Sequence, residues 1–577
     1  MNKKEKVYAF LLSEARVPLS EDEIAAILDV PAFDRFELSI ILEELTLSGL
    51  ITSHKGRFAA KKTLSDDAVM QTILSSHGFP PEFPQEVQKA AGRIPSSVQN
   101  TEGREDLRHL LTFTIDGADA RDFDDAISID ETEDGFTLYV HIADVAHYVK
   151  YNGAIDKEAG KRGTSCYLPC RNVPMLPREL SNGICSLNPN VDRLTLSTVI
   201  FLDKQGNVLD FRITEAVIRS DYRLIYEEVT KVLENGKPDK KHESVFPALR
   251  ALDALSVLLT ARRKEKGSID FNLPEAKIIF DGKKPVSIEK REEGRANRMI
   301  ETAMVLCNRI IAEYINKKEL PFVYRVHEKP DRDKLERLSA ALGVLGLSIP
   351  GRFSGKKAAE LLESEKGKDR EYIVSTILLR AMMKAKYSPE NLGHFGLGLS
   401  DYCHFTSPIR RYPDLCCHRI VKALINGEDT KKFQNKVSRY ALHASEREEA
   451  AQEAEREAVR YYMCRCMEDR IGEEFEAVIS SVLDFGFFVS LPNLAEGLVH
   501  VRTLGDDYYI FDETTLSLTG KRSGAVYRLG DKVEVRLQSV DAATSRIDFV
   551  LKEAPENGKN HRTKQKSKTR LLRGRNH

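Results

Sequence analysis

The sequence predicts a multidomain chain: an N-terminal winged helix-turn-helix, a large α+β domain and a C-terminal OB-fold β-barrel. Three observations carry this. The first sixty-odd residues read as three short helical patterns and a hairpin. A long middle region opens with strand-like runs and turns helical. The last ordered stretch is β-rich, with a glycine at a bend. A length of 577 residues suits such a division, since ~150 residues per domain gives ~3–4 domains.

Residues 1–62 come first. KEKVYAFLLSEA has helical apolar spacing. Ser20 followed three residues later by Glu23 is a capping box opening EDEIAAILDV. A third periodic segment, DRFELSIILEELTLSG, stops at Gly49, a good residue to follow a helix end. LITSHKGRFAA supplies two extended runs around a turn. The expected third helix carries Arg35 against Asp34, Glu37, Glu43 and Glu44, whereas the bases Lys55, Arg57, Lys61 and Lys62 sit in the wing. Nucleic-acid binding and protein interaction both fit this module.

Residues 63–105 read as a linker, with the proline-rich GFPPEFP excluding regular helix. The region 106–468 begins with the strand-like LLTFTID, FTLYVHIADV and TLSTVIFLD. Helical RMIETAMVLCNRIIAEYI, REYIVSTILLRAMMKAKY and SEREEAAQEAEREAVRYYMCRCMEDR follow. Residues 470–553 hold FEAVISSVLDFGFFVSL, EGLVHV, DKVEVRLQSV and SRIDFVL, the pattern of a small OB-type barrel. The tail 554–577 has eight Lys or Arg and no acid from Gly558 onward, which predicts disorder and attraction to polyanions.

Hydrophobic residues at 41% and charged residues at 30% place the chain among soluble globular proteins. The N-terminus lacks a secretory pattern, and no run reaches the ~18 apolar residues of a membrane helix. The nine cysteines form no CxxC, so zinc is not indicated and free thiols in a cytoplasmic protein are expected.

The chemistry concentrates in TIDGADARDFDDAISID. A strand delivers Asp116, a turn follows, and Asp122, Asp124 and Asp125 precede the next strand. Carboxylates crowded beside an apolar strand repel one another unless a cation sits among them. Hard oxygen ligands favour magnesium, the usual ion of phosphate chemistry. No GxxxxGK[ST] is present, so a P-loop nucleotidase is excluded. In HFTSPIRRYPDL (404–415), two prolines bracket Arg410 and Arg411, whose forked guanidinium groups match phosphate oxygens. His141, Asp144 and His147 offer a second apparent ligand set. Their β-alternating run turns i and i+3 to opposite faces, so they are read as strand residues.

Together IDGADARDFDDA, RGTSCYLPCRNVPMLPRELSNGICSLNP and DYCHFTSPIRRYPDLCCHR resemble, in order and spacing, the RNB-type catalytic domain shared by RNase II and RNase R. The PMLP and LSNGICSLNP stretches and the basic tail are more similar to the RNase R branch. The resemblance covers about 106–553 and implies an S-one type OB domain behind the catalytic one. It further implies a processive, magnesium-dependent 3′→5′ exoribonuclease that releases nucleoside 5′-monophosphates. On this resemblance the catalytic aspartates fall on Asp116, Asp122, Asp124 and Asp125, with Asp124 most directly tied to cleavage, and the catalytic arginine falls on Arg410. Tyr167 corresponds to a tyrosine stacking at the terminal nucleotides, Tyr226 and Glu301 to ribose-sensing residues, and Phe271 to a stacking phenylalanine. On the barrel, Phe485, Phe488, His500 and Arg546 complete an RNA-facing pattern, while Phe487 is expected to fill the interior.

The resemblance also shows a departure. The family's two cold-shock domains have no room in the roughly forty residues between the winged helix and DLRHLLTFTID. The expected partner is single-stranded RNA with a free 3′ end, and duplex RNA with a short overhang is expected to be accepted. The chain is expected to be a monomer without membrane contact. An RNA-binding regulator on an inactive nuclease scaffold and a winged-helix transcription factor are the competing readings. The first would need loss of an aspartate or of Arg410, and none is lost.

Overall fold

The structure is a computed structural model that describes residues 3–13, 18–31, 35–47, 51–54, 56–60, 65–271, 273–291, 294–368, 370–513 and 515–552. Gly49, Asp34, Lys55, Lys61, Lys62 and the basic tail lie outside the described residues. The chain divides into two units, 1–81 and 82–577.

The first unit contains helices Lys3–Ser13, Glu21–Ile27 and Arg35–Leu47 and an antiparallel sheet ordered Leu19–Ser20, Arg57–Ala60, Ile51–His54. Both hydrogen bonds of the Ser20–Glu23 capping box form, fixing the start of the second helix. Val7, Leu11, Ile24, Leu38, Leu42, Leu45 and Ile51 make its core. The segment read as a linker is instead substantially helical. Ser65 caps Asp66–Ser76, which buries Met70, Ile73 and Leu74, and Gln85–Ala91 buries Val87 and Ala91. The apolar pairs at i and i+3 or i+4 were the signal, outweighed in the sequence by GFPPEFP between them, whose residues are indeed outside both helices.

The second unit is built on a seven-stranded sheet. Its order is Tyr222–Ile225, Phe113–Asp116, Asp125–Glu131, Gly135–Ala143, Asp192–Asp203, Val208–Arg219, Glu105–Asp106. One face packs on helices Phe246–Glu265 and Arg295–Lys317 through Ile127, Leu138, Val140, Leu196 and Ile200. A second core gathers Phe123, Val145, Ile155, Met175, Leu180, Ile184, Ile409 and Leu415.

Alternation along the strands leaves a buried polar ladder on the face opposite those aliphatics. Thr112 Oγ1 lies 2.8 Å from Ser128 Oγ, Ser128 Oγ lies 3.2 Å from His141 Nε2, and His141 Nδ1 lies 2.8 Å from Ser197 Oγ. Burial holds the His141 imidazole down at about 3, so the ring is neutral. The strand stops at Ala143, earlier than the sequence suggested. Asp144 accepts from the His147 N–H as the cap of a short helix, Val145–Tyr148. Its carboxylate pairs with Arg104 at 2.7 Å and Lys422 at 2.5 Å. His141 and Asp144 are thus occupied by structural partners.

The long helix Val437–Met467 leads into a closed five-stranded barrel, Glu474–Leu483, Gly486–Ser490, Glu496–His500, Arg546–Leu551 and Lys532–Asp541. Gly486 has φ +151, and a Cβ there would meet the Val499 carbonyl oxygen at 2.3 Å, so only glycine fits this bend. No described helix is long and apolar enough to cross a membrane.

Candidate active site

Three sequence stretches, distant along the chain, are stitched into one wall by backbone hydrogen bonds. Asp116 ends the strand Phe113–Asp116, and the chain then turns, the Ala120 N–H donating to the Gly117 carbonyl. The returning loop is stapled by Ser186 of the LSNGICSLNP stretch. Its Oγ donates to the Arg121 carbonyl at 2.8 Å and accepts the Phe123 N–H at 3.0 Å, while the Leu187 N–H donates to the Phe123 carbonyl. Asp125 opens the next strand opposite Ile142. RGTSCYLP is tied to SPIRRYPD in turn: the Ser165 N–H and Thr164 Oγ1 both donate to the Arg410 carbonyl, and the Tyr412 N–H donates to Gly163.

Asp124 sits at the centre, 4% exposed. Its Oδ1 accepts the Ile409 N–H at 2.7 Å. Its Oδ2 is buried with no hydrogen-bond partner and lies 3.5 Å from Arg410 Nε. Asp122 Oδ2 accepts from the Tyr167 hydroxyl at 3.0 Å. Burial, then the charges of Asp125 and Asp122, push the Asp116 carboxyl up to about 8. Burial lifts Asp125 to about 6, against the pull of Arg410 and Arg411, and drives Asp124 well above the usual carboxylate range. Shifts in this direction mean that the charged carboxylates are penalised as they stand and would be favoured by a nearby cation. As they stand, no three carboxylate, His or Cys side chains among the described residues are close enough to hold an ion.

Arg410 reaches the cluster from a braced loop. Its guanidinium donates to Ser407 Oγ at 3.0 Å, and its side chain stays 42% exposed. The adjacent Arg411 is largely shielded and grips the fully buried Asp414 with two bonds, 2.9 and 2.7 Å, while Asp414 also accepts the Ser407 N–H. The two arginines therefore differ: one is locked as scaffold and one remains presented to the cleft.

Tyr226 also faces the cluster, its hydroxyl held protonated first by burial and then by the charges of Asp125 and Asp116. Glu301 lies elsewhere in its contacts, pairing with Arg263 at 3.5 Å. Phe271 accepts at its carbonyl from the Leu273 N–H and is half-buried; among the described residues no ring contact joins it to the aspartates. On the barrel Phe485 is 43% exposed, Phe488 and His500 are half-buried and Arg546 is exposed, whereas Phe487 is fully buried and stacks on Tyr527. Two contributors escaped the sequence reading. Ser186 is one. The other is Arg223, which donates to the Gly117 and Ala118 carbonyls at 3.0 and 2.6 Å and lies over the Phe123 ring. Nothing local marks Arg223; only the parallel pairing of Tyr222–Ile225 with Phe113–Asp116 brings it there.

Comparison with known proteins agrees with this architecture. The RNB domain model matches residues 104–427 and the S1 RNA binding domain model matches residues 468–552. Ribonuclease R 1 of Lactococcus lactis is 41% identical over 518 residues, covering 87% of this chain and 62% of that protein. Ribonuclease R of Aquifex aeolicus is 43% identical over 498 residues, covering 84% and 70%. This chain thus spans about two thirds of the length of these relatives. The apo form of Mycoplasma genitalium RNase R superimposes with a TM-score of 0.81 at 32% identity, covering 86% of this chain and 80% of that one. The same Mycoplasma protein has been seen with ribose methylated single-stranded RNA and with double-stranded RNA. The chain belongs to the RNB family and groups within it with the ribonuclease R proteins.

Proposed function

We propose that this chain is a magnesium-dependent, processive 3′→5′ exoribonuclease that hydrolyses single-stranded RNA to nucleoside 5′-monophosphates. The observation that carries the reading is Asp124 Oδ2: a buried carboxylate oxygen without a hydrogen-bond partner, 3.5 Å from a half-exposed arginine. A buried polar atom left bare costs about 1–3 kcal/mol unless something outside the protein engages it.

The residues present fit a hard cation. Asp116, Asp122, Asp124 and Asp125 are all-oxygen donors, and three of them are raised by burial or mutual repulsion that a cation would relieve. When bound, magnesium supplies polarisation of the phosphate and acidification of a water. The chain's own residues do the rest. Arg410 presents its guanidinium to the phosphate and counters charge that grows in the transition state. The Ile409 N–H fixes the rotamer of Asp124. Tyr167 sits beside Asp122 and is 37% exposed, available to stack on the terminal nucleotide. Tyr226, protonated, can donate to a ribose hydroxyl, and Phe271 and Glu301 are assigned to the RNA path on the family resemblance.

Phe485, Phe488, His500 and Arg546 form the barrel's RNA-facing surface in this reading, because stacking on aromatics tolerates any sequence and adds ~1–3 kcal/mol per base. The N-terminal unit is proposed to be a winged helix. Its third helix carries acids, and its one base, Arg35, pairs with Asp22 at 2.9 Å, which disfavours reading a DNA groove. The protein is proposed to act as a monomer in the cytoplasm.

The test is 5′-labelled single-stranded RNA incubated with and without EDTA. A ladder shortening from the 3′ end, abolished by EDTA and restored by magnesium, is expected. Tight RNA binding with no shortening under either condition would favour an RNA-binding regulator on a nuclease scaffold instead.

A further inference from the structure

The sheet carries a second concave site, at its opposite end. Asp125 lies in register with Ile142, and Ile142 with Leu196. From Leu196 the strand continues seven residues to Asp203, roughly 23 Å at ~3.3 Å per residue. There the turn Gly206–Asn207 and the start of the strand Val208–Arg219 close a cavity of about 410 Å³ against the helices Phe246–Glu265 and Arg295–Lys317. That volume is within the ~300–1,000 Å³ usual for small-molecule sites.

Its lining is bipartite. Five cations reach it: Arg262, Arg263, Lys266, Arg309 and Lys317. Arg263 pairs with Glu301 and Arg309 with Glu313, each at 3.5 Å. The remaining three cations share the cavity lining with Asp210. Hydrogen bonds from Asn207 hold the Asp203 carboxyl down, and Arg262 lies near enough to add to this. Arg262 donates to the Gln205 carbonyl at 3.0 Å, which orients its guanidinium without neutralising it. The Nε of Arg263 is buried with no acceptor, an arrangement that an incoming oxyanion would relieve. Opposite these cations the surface is apolar: Leu209 is an exposed leucine at the mouth, and Phe211 packs edge-on against Tyr314 beside Ile310.

We propose that this cavity binds a nucleoside 5′-monophosphate, the phosphate on the arginines and the base against Leu209 and Phe211. That the nucleotide is this protein's own product rests on the preceding section; the binding itself does not. Such a site would hold product away from the aspartates and sense its accumulation.

Equilibrium dialysis of the full chain with labelled 5′-AMP in EDTA tests it. Arg410→Ala should retain AMP binding. Arg262→Glu combined with Lys266→Glu should weaken it at least about tenfold, the effect of one lost charge-assisted hydrogen bond. The exposed Lys317→Glu should weaken it independently, with thermal melts unchanged in each case. Inorganic phosphate should compete at least about tenfold more weakly than AMP, because it lacks the base. Undiminished AMP binding in both charge-reversed proteins overturns the proposal. Loss of all binding in Arg410→Ala overturns it too, since the nucleotide then sits at the aspartates. Phosphate competing as well as AMP removes the nucleotide assignment. No RNA is cut in this assay, so AMP binding here in a chain that cleaves no RNA would sink the nuclease reading alone.

Discussion

The backbone N–H of Ile409 donates to Oδ1 of Asp124 across 285 residues of sequence, at 2.7 Å. This one bond joins the acidic loop to the arginine loop and turns the other oxygen of Asp124 toward Arg410. A carboxylate placed by a main-chain donor has a fixed rotamer, and the loop that supplies the donor also supplies the guanidinium. In the proposed reaction the geometry of the site therefore depends on what braces residues 407–411.

That brace is the pair of Arg411 with the fully buried Asp414. Arg411→Met should destabilise the protein by about 3–5 kcal/mol, because it strands a buried carboxylate. Urea unfolding monitored by circular dichroism measures this, and a loss below about 1 kcal/mol would show that the pair does not hold the loop.

Ser186 staples the acidic loop through two hydrogen bonds. Ser186→Ala should cost about 1–3 kcal/mol locally and lower kcat more than it raises KM, since RNA contacts away from the loop persist. A change confined to KM would place Ser186 in RNA binding instead.

Much of this site was legible in the sequence, and the reason is local density. Five aspartates in ten residues next to a strand, and two arginines between prolines, mark themselves by charge against expectation. The barrel was legible because strand alternation and the Gly486 bend are local too. What stayed hidden was pairing between distant segments. Arg223 reaches the loop only through a parallel strand pair, and Ser186 is an ordinary serine until the loop folds onto it. The helix Asp66–Ser76 was masked by neighbouring prolines, and the strand ending at Ala143 was over-extended because Asp144, a helix cap, also fits an alternating run.

The buried ladder around His141 predicts an acid sensitivity. Its imidazole is held at about 3 in the folded protein against 6.5 when free. A depressed folded value contributes stability above 6.5 that is lost as pH falls toward 3, about 2 kcal/mol by pH 5. Asp116 and Asp125, raised in the fold, slope the other way over part of this range. Comparing urea midpoints of wild type and His141→Gln from pH 7 to 5 isolates the ring. A parallel pair of curves would refute the assignment.

Asp116→Asn removes a carboxylate that burial and its neighbours penalise. In EDTA at pH 8 the variant should be more stable than wild type by on the order of 1–2 kcal/mol. Magnesium should then raise its melting temperature less than it raises that of wild type. An unchanged magnesium response would exclude Asp116 from the ion site.

The short connection ahead of the catalytic region predicts tolerance of structured substrates. Duplex RNA with a 3′ overhang of only a few nucleotides should be degraded, measured with a graded series of overhangs; a requirement for long overhangs contradicts this.

The most direct measurement is single-turnover cleavage and RNA affinity of Asp124→Asn, side by side with wild type in magnesium. Cleavage should fall by at least about a thousandfold while affinity for single-stranded RNA stays within a few-fold, since the basic and aromatic surfaces are untouched. Cleavage at the wild-type rate would contradict this, because the bare oxygen beside Arg410 would then have no part in the chemistry.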